Sequence, residues 1–138
     1  MPAKDIYHDT VKRALLKQGW TITQEHLMVR SGGVNLYIDL GAEKIIAAEK
    51  NGEKIAVEIK SFIGKSNTYD FHQAVGEFIH YRLALKEEEP ERILYLAVPS
   101  DVYKDFFMQP FVQKSVETNQ LKLIVYDPKT EELTKWLN

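Results

Sequence analysis

The chain has 138 residues, close to the commonest size of a single domain, so we expect one domain spanning 1–138. Its hydrophobic share of 44% is that of a globular protein, and no apolar run approaches the roughly 20 residues of a membrane helix. The formal net charge of −2 argues against a protein that coats nucleic acid by bulk electrostatics. Any contact with DNA would therefore need a local patch.

Cysteine is missing from the sequence, which excludes disulfides, thiolate zinc sites and cysteine nucleophiles. The first residues, Met1 to Asp5, lack the apolar stretch and small-residue cleavage site of a secretory signal. We therefore expect a cytoplasmic protein that is not inserted in a membrane.

The first third of the chain predicts one helix followed by short strands. Helical spacing of apolar residues covers 4–18, and β-prone pieces follow at 20–23 and 27–30. After the turn at Ser31-Gly32-Gly33, apolar and polar residues alternate from Val34 to Leu40, which is a strand pattern.

The next segments predict a β-hairpin, a long helix and a buried strand. The hairpin joins Ile45–Glu49 to Lys54–Ser61 through Asn51-Gly52, a dipeptide that tolerates positive φ at both positions. A long helix is predicted over 68–86 and a strand, buried on both faces, over 93–98.

The last third predicts a helix from Pro99 through Phe107, another over 111–118 and a strand over 121–126 that ends at a polar turn, Asp127-Pro128. The apolar run from Phe106 to Met108 is expected to cover a sheet face or to form a subunit contact, as in a homodimer. A meander pairs antiparallel, whereas a helical crossover requires a parallel partner, so we expect a mixed sheet flanked by helices.

Three residues on the predicted strands could carry chemistry: Asp39, Glu58 and Lys60. Residues two apart on a strand face the same side, so Glu58 and Lys60 project together with Ala56. Two converging carboxylates repel each other unless a cation lies between them, and Mg²⁺ prefers oxygen ligands. With a lysine beside the ion, the chemistry indicated is hydrolysis of a phosphodiester.

An acid-x-Lys triplet is a weak signal by itself, because a second one occurs at Asp127-Pro128-Lys129. That triplet lies in a proline-containing turn, so the strand context favours Glu58 and Lys60. The alternative is that these two residues form an ion pair on the solvent-facing edge of a hairpin, worth less than about 1 kcal/mol.

Four strings give the chain a marked resemblance to the cyanobacterial XisH family, the fdxN element excision controlling factors. They are Met1 to His8, Tyr37 to Lys44, Ile55 to Phe62 and Leu94 to Pro99. The resemblance implies a restriction-endonuclease-like fold of the PD-(D/E)XK superfamily, with the core order α-β-β-β-α-β. It also implies control of DNA-element excision alongside a site-specific recombinase and a small companion factor.

Carried over from that superfamily, Asp39 matches the first acidic position, Glu58 the second and Lys60 the lysine. Ile59 would offer its backbone carbonyl to Mg²⁺ or Mn²⁺. The proline that often precedes the first acid is replaced by Ile38. A role in controlling excision does not by itself imply nuclease activity, so a DNA endonuclease and an inactive nuclease-fold scaffold that binds a companion factor or the recombinase both remain open.

Three further residues are candidates for the same site. Glu49 ends the strand before the hairpin and could reach the cluster, although charges that flank a turn are usually solvated. Asp9 lies on the first helix, where superfamily members sometimes place an acid. Gln73 lies on the long helix, where some superfamily nucleases carry a glutamine, although Glu77 stands where an aromatic residue would follow it.

Overall fold

A computed structural model describes residues 6–25, 27–36, 45–64 and 66–138. The helices are α1 (His8–Lys17), α2 (Asn67–Glu88), α3 (Ser100–Lys104) and α4 (Pro110–Thr118), with a 3₁₀ turn at Phe106–Met108 between α3 and α4. The strands are β1 (Thr21–Gln24), β2 (Val29–Ser31), β3 (Val34–Leu36), β4 (Ile45–Lys50), β5 (Glu53–Ile59), β6 (Arg92–Pro99), β7 (Leu123–Asp127) and β8 (Glu132–Leu137).

Six strands form one mixed sheet in the order β1-β4-β5-β6-β7-β8. The pairs β1–β4, β4–β5 and β7–β8 are antiparallel, whereas β5–β6 and β6–β7 are parallel. The parallel pairs are joined by crossovers that contain helices, as physical expectation requires. The predicted mixed α/β architecture is therefore confirmed, and β5 lies in the interior of the sheet.

Helices cover both faces of this sheet. On one face α2, the 3₁₀ turn and α4 pack over Ala56, Leu96 and Val125. On the other face α1 packs over Val57 and Tyr126. Successive residues of β5 thus enter opposite cores, which is the period of two that a strand imposes.

Local chemistry explains where several elements begin and turn. Asn51 and Gly52 have φ angles of 51° and 84°, so the β4–β5 hairpin uses the positive-φ turn that this dipeptide predicts. The Ser66 side chain accepts a hydrogen bond of 3.0 Å from the Tyr69 amide and caps α2. Phe106 and Phe107 are buried, as predicted, and Met108 is exposed.

Several details differ from the sequence prediction. The helix predicted from Pro99 through Phe107 ends at Lys104, and a separate 3₁₀ turn follows at Phe106–Met108. β2 and β3 form a separate two-stranded sheet rather than joining the main one. β8 was not predicted, although it pairs with β7 at the sheet edge. β5 ends at Ile59, two residues before the predicted end. Within the part of the chain described, no helix combines the length and apolar character needed to cross a bilayer.

Candidate functional site

Glu58 and Lys60 lie at the carboxyl end of β5, on the side of the sheet that α2 covers. Glu58 is 1% exposed and Lys60 6% exposed. The neighbouring Val57 and Ile59 enter the opposite core, beneath α1. The prediction that Glu58 and Lys60 project from the same side of the strand is confirmed, since Lys60 contacts a side chain of α2, whereas Val57 and Ile59 face α1.

The Lys60 ammonium forms an ion pair with Glu77 of α2. Their Nζ and Oε1 atoms are 3.0 Å apart, and the side chains are 7% and 12% exposed. Ion pairs at this depth differ in kind from a solvated surface pair, because both charges have been removed from most of the water. The alternative that Glu58 and Lys60 form an ion pair on a solvent-facing hairpin edge is therefore wrong, because both residues are buried.

The backbone on either side of Lys60 is held by neighbouring strands. The Lys60 amide donates to the Ala97 carbonyl at 3.0 Å, and the buried Tyr126 hydroxyl donates to the Lys60 carbonyl at 3.1 Å. Two residues later Phe62 has a φ of 58°, a value that costs a bulky residue energy. Its buried ring compensates by packing edge-on against Phe107, with centroids 5.6 Å apart.

The loop that follows the site is fastened to the first turn of α2. The Gly64 amide donates to the Asp70 carboxylate at 2.9 Å. A Cβ atom at Gly64 would lie 2.5 Å from that carboxylate, which explains why glycine fits this close approach. Together with the Ser66 cap, this contact fixes the start of α2, the helix that delivers Glu77.

Of the other residues predicted for this site, the structure describes Ile59 and Gln73 but not Asp39. Asp39 lies outside the described residues, so its proximity to Glu58 stays a prediction. Ile59 is the last residue of β5, between the two charged side chains, and its apolar side chain is fully buried. Gln73 is exposed on α2, one turn before Glu77.

Glu49 lies at the other end of the β4–β5 hairpin. It pairs in register with Lys54, four residues before Glu58, which is about 13 Å along the strand. Its carboxylate lies 3.9 Å from the Arg92 guanidinium, where it closes an ion-pair group with Glu89. The structure therefore does not bring Glu49 to Glu58 and Lys60.

Asp9 lies in the first turn of α1, the helix on the opposite face of the sheet from α2. It neighbours His8, which is fully buried, and the carboxylate of Glu25 just beyond β1. The Lys12 ammonium hydrogen-bonds to Glu25 and holds the pKa of that carboxyl below its ordinary value, and His8 adds to the effect. This group of side chains is a second polar cluster beside α1.

Sequence reasoning did not assign Glu77 or His8 to a site. A helical signal existed for both. Glu77 is one turn before the buried Tyr81 and three residues after the buried Ala74, and His8 is one turn before the buried Val11. A charged or titratable residue in line with an apolar helix face is a candidate for a buried contact.

The ionisable groups nearest Lys60 on this face are carboxylates: Glu77 contacts its ammonium, and Glu58 lies two residues before it on the same face of β5. Such donors suit hard cations such as Mg²⁺ and Mn²⁺. A lysine in the same place can stabilise negative charge that develops on a phosphoryl oxygen. The arrangement can thus hold a divalent cation through its carboxylates and stabilise an anion through its ammonium.

Comparison with known proteins identifies the family. A family model described as XisH protein matches residues 1–134. No curated protein matches the chain significantly. Among solved structures, an XisH family protein from Nostoc punctiforme PCC 73102 is 48% identical, with a TM-score of 0.91, and the match covers 97% of this chain and 100% of that one.

A second solved structure gives the same result. A fdxN element excision controlling factor protein from Anabaena variabilis is 48% identical, with a TM-score of 0.89, and the match covers 96% of this chain and 98% of that one. The match to the family model extends over nearly the whole chain, and both structures superpose over nearly their full length. The chain therefore belongs to the XisH family.

Proposed function

We propose that this protein controls the excision of a DNA element and that it acts on DNA through the site at Glu58 and Lys60. The name of the Anabaena variabilis protein supports the first part, because that protein is 48% identical over nearly the whole chain. The chemistry of the site supports the second. The substrate class we assign is the phosphodiester backbone of DNA.

The chemical part rests on a single observation, which is the burial of Glu58 and Lys60 at the carboxyl end of an interior strand. Removing charges from water costs several kcal/mol per ion, so charged groups buried this way stabilise a fold poorly. Charged groups under such constraint concentrate at functional sites. A binding or catalytic role accounts for their presence better than stability does.

We also assign the restriction-endonuclease-like fold as part of this proposal. The order α1, β1, β4, β5, α2 and β6 follows the α-β-β-β-α-β core of that superfamily, with β2 and β3 inserted and α3, α4, β7 and β8 added at the end. Sheet order β1-β4-β5-β6, with the last pair parallel, agrees with it.

In this proposal Asp39, Glu58 and the Ile59 carbonyl hold Mg²⁺ or Mn²⁺, an ion that would polarise the phosphodiester and make bound water more acidic. Lys60 stabilises charge that develops on the phosphate, and its contact with Glu77 keeps its ammonium on the α2 side of the sheet. The fixed backbone around Lys60 keeps that ammonium in place.

The test is cleavage of supercoiled plasmid DNA by the purified protein in Mg²⁺ or Mn²⁺. Wild-type protein is expected to nick the plasmid, and Asp39→Asn, Glu58→Gln and Lys60→Met are each expected to reduce nicking at least about a hundredfold. Lys129→Ala is the matched control, because Lys129 belongs to the other acid-x-Lys triplet and is exposed. Circular dichroism of each variant establishes that it is folded.

Equal nicking by all the variants would identify a contaminating nuclease and sink the catalytic part. The excision role is tested separately in a host that excises the fdxN element. Deleting the gene is expected to lower the amount of excised product measured by quantitative PCR, and the wild-type gene is expected to restore it. Unchanged excision after deletion would contradict that role.

A second candidate function, a scaffold without turnover, is favoured by the Lys60–Glu77 pair, since the buried ammonium already has an internal counter-ion. The net charge of −2 also favours protein partners over DNA. In this version the domain binds a companion excision factor or the recombinase, directly or as a homodimer. Absence of any rise in melting temperature at millimolar Mg²⁺ or Mn²⁺ would favour the scaffold, because a ligand that binds only the folded state must raise it.

A further inference from the structure

The polar cluster beside α1 consists of His8 and Asp9 on the helix and Glu25 just after β1. One ligand atom from each of these residues lies within 4.8 Å of the other two. The three side chains differ in depth: His8 is fully buried, Glu25 is 40% exposed and Asp9 is exposed. The cluster thus has a buried nitrogen at its base and carboxylates toward solvent.

The imidazole and the Glu25 carboxylate lie within ion-pair distance, at a spacing longer than an ordinary hydrogen bond. His8 Nε2 and Glu25 Oε1 are 3.6 Å apart, beyond the usual limit of about 3.2 Å. Two ligands that each lie about 2.1 Å from one ion in tetrahedral geometry are about 3.4 Å from each other. The observed separation is therefore close to that of two ligands on a shared ion.

From this geometry we propose that His8, Asp9 and Glu25 form a divalent transition-metal site. One imidazole and two carboxylates suit Zn²⁺, Co²⁺ or Mn²⁺ better than Mg²⁺, because a nitrogen ligand disfavours the hardest cations. The site joins α1 to the end of β1, two elements that are separated in sequence by the turn after Lys17. It does not depend on the nuclease chemistry proposed for Glu58 and Lys60.

Lys12 is the competing charge at this cluster. Its ammonium lies 3.1 Å from Glu25 Oε2, the oxygen that does not face His8. An ammonium there repels a nearby cation, and it also offers a purely structural account in which Lys12, Glu25 and His8 tie the helix to the strand. If the cluster binds a metal ion, neutralising Lys12 strengthens that binding. If the cluster is purely structural, neutralising Lys12 weakens the link between helix and strand.

The experiment is isothermal titration calorimetry of the full-length protein with Zn²⁺ and Co²⁺ in millimolar Mg²⁺, which competes for sites made of oxygen ligands alone. Wild-type protein is expected to bind one ion at the cluster. Glu25→Gln and His8→Asn are expected to weaken that binding by more than about tenfold, and Lys12→Met to strengthen it. Glu132→Gln and His72→Ala, at exposed positions, are expected to bind as wild type does.

If His8→Asn does not fold, Glu25→Gln alone decides the test, because Glu25 is partly exposed and its substitution is expected to leave the fold intact. A visible absorption spectrum of bound Co²⁺ gives a second readout, whose change on Glu25→Gln reports on the ligand set rather than on stability. The proposal is overturned if Zn²⁺ and Co²⁺ do not bind, if Glu25→Gln binds as tightly as wild type, or if Lys12→Met weakens binding. It is also overturned if Glu58→Gln removes the same ion, since the ion would then belong to the β5 site.

Discussion

At the scale of single residues, Lys60 shows how a charge is kept inside this fold. Its ammonium lies 3.0 Å from the Glu77 carboxylate, and both side chains are largely buried. Such pairs add little net stability, because desolvation offsets most of the attraction. Removing one member is a different matter, because the remaining charge stays in a medium that solvates it poorly.

We therefore predict that Glu77→Ala lowers the free energy of unfolding by about 3 kcal/mol, the lower end for a broken buried pair, since Glu77 keeps some contact with water. The double variant Lys60→Met, Glu77→Leu is expected to recover most of this loss, because it removes both charges and keeps apolar volume. Urea unfolding followed by tryptophan fluorescence measures all three proteins. Glu88→Ala, at an exposed position of the same helix, is the control and is expected to stay near the wild-type value.

A loss below about 0.5 kcal/mol for Glu77→Ala would show that the pair behaves like a surface contact.

The sequence predicted that Glu58 and Lys60 share a face of the strand, because the alternation of side chains along a strand is a local property. Glu77 could not be paired with Lys60 in the same way, since their contact depends on how α2 crosses the sheet. For Asp39 the contribution to the site remains a prediction.

At the scale of elements, strong local signals predicted the structure well. Asn51-Gly52, the apolar run of β6 and the helical pattern of the long helix, α2, each correspond to an observed element. Pairing partners were harder to predict. The alternation from Val34 onward predicted a strand, yet β3 pairs with β2 outside the main sheet, because alternation specifies a face and not a neighbour.

β8 illustrates the limit of pattern reading at a sheet edge. Its apolar residues stand at positions 133, 136 and 137, which is not a period of two, and only Leu133 is buried. Its register with β7 also shifts between Val125 and Tyr126, which interrupts the period of two. The polar turn before it was predicted, but the strand was not.

The start of α2 gives a prediction at this scale. Ser66 caps the helix through the Tyr69 amide, so Ser66→Ala is expected to lower the free energy of unfolding by about 1 kcal/mol. Thr68→Ala is a matched control, because it removes a hydroxyl group two residues away, at an exposed position inside the helix. Equal losses in the two variants, measured by urea unfolding, would show that the cap contributes nothing specific.

At the scale of the whole molecule, the beginning and end of the described chain are fastened together. The Trp20 and Trp136 rings stack with centroids 5.7 Å apart, and the Trp136 indole donates to the Gln18 side chain at 3.3 Å. The Arg13 guanidinium makes a two-bond contact with Glu131, which precedes β8. No sequence pattern predicts pairs separated by more than a hundred residues, because they follow from the finished fold.

The Arg13–Glu131 contact makes a prediction about acid stability. Arg13 hydrogen-bonds to Glu131 and lowers the pKa of that carboxyl from its ordinary value of 4.5. A carboxyl whose pKa is lower in the folded state contributes stability above its unfolded pKa and loses it as the pH falls through the folded value. The contribution is therefore fully present at pH 7, weakens as the pH falls below the ordinary value of 4.5, and is lost as the pH passes through the lower value of the folded state.

We expect Glu131→Gln to be less stable than wild type at pH 7 and to approach wild type at pH 3, because protonation removes the same charge from the wild-type protein. Urea unfolding at pH 7, 5, 4 and 3, followed by tryptophan fluorescence, measures the convergence. Arg13→Ala should show the same narrowing gap, since either change breaks the same contact, whereas Glu132→Gln, one residue away, should not. A gap between Glu131→Gln and wild type that stays constant with pH would mean that the residue acts through its backbone conformation, with φ at 58°, and not through its charge.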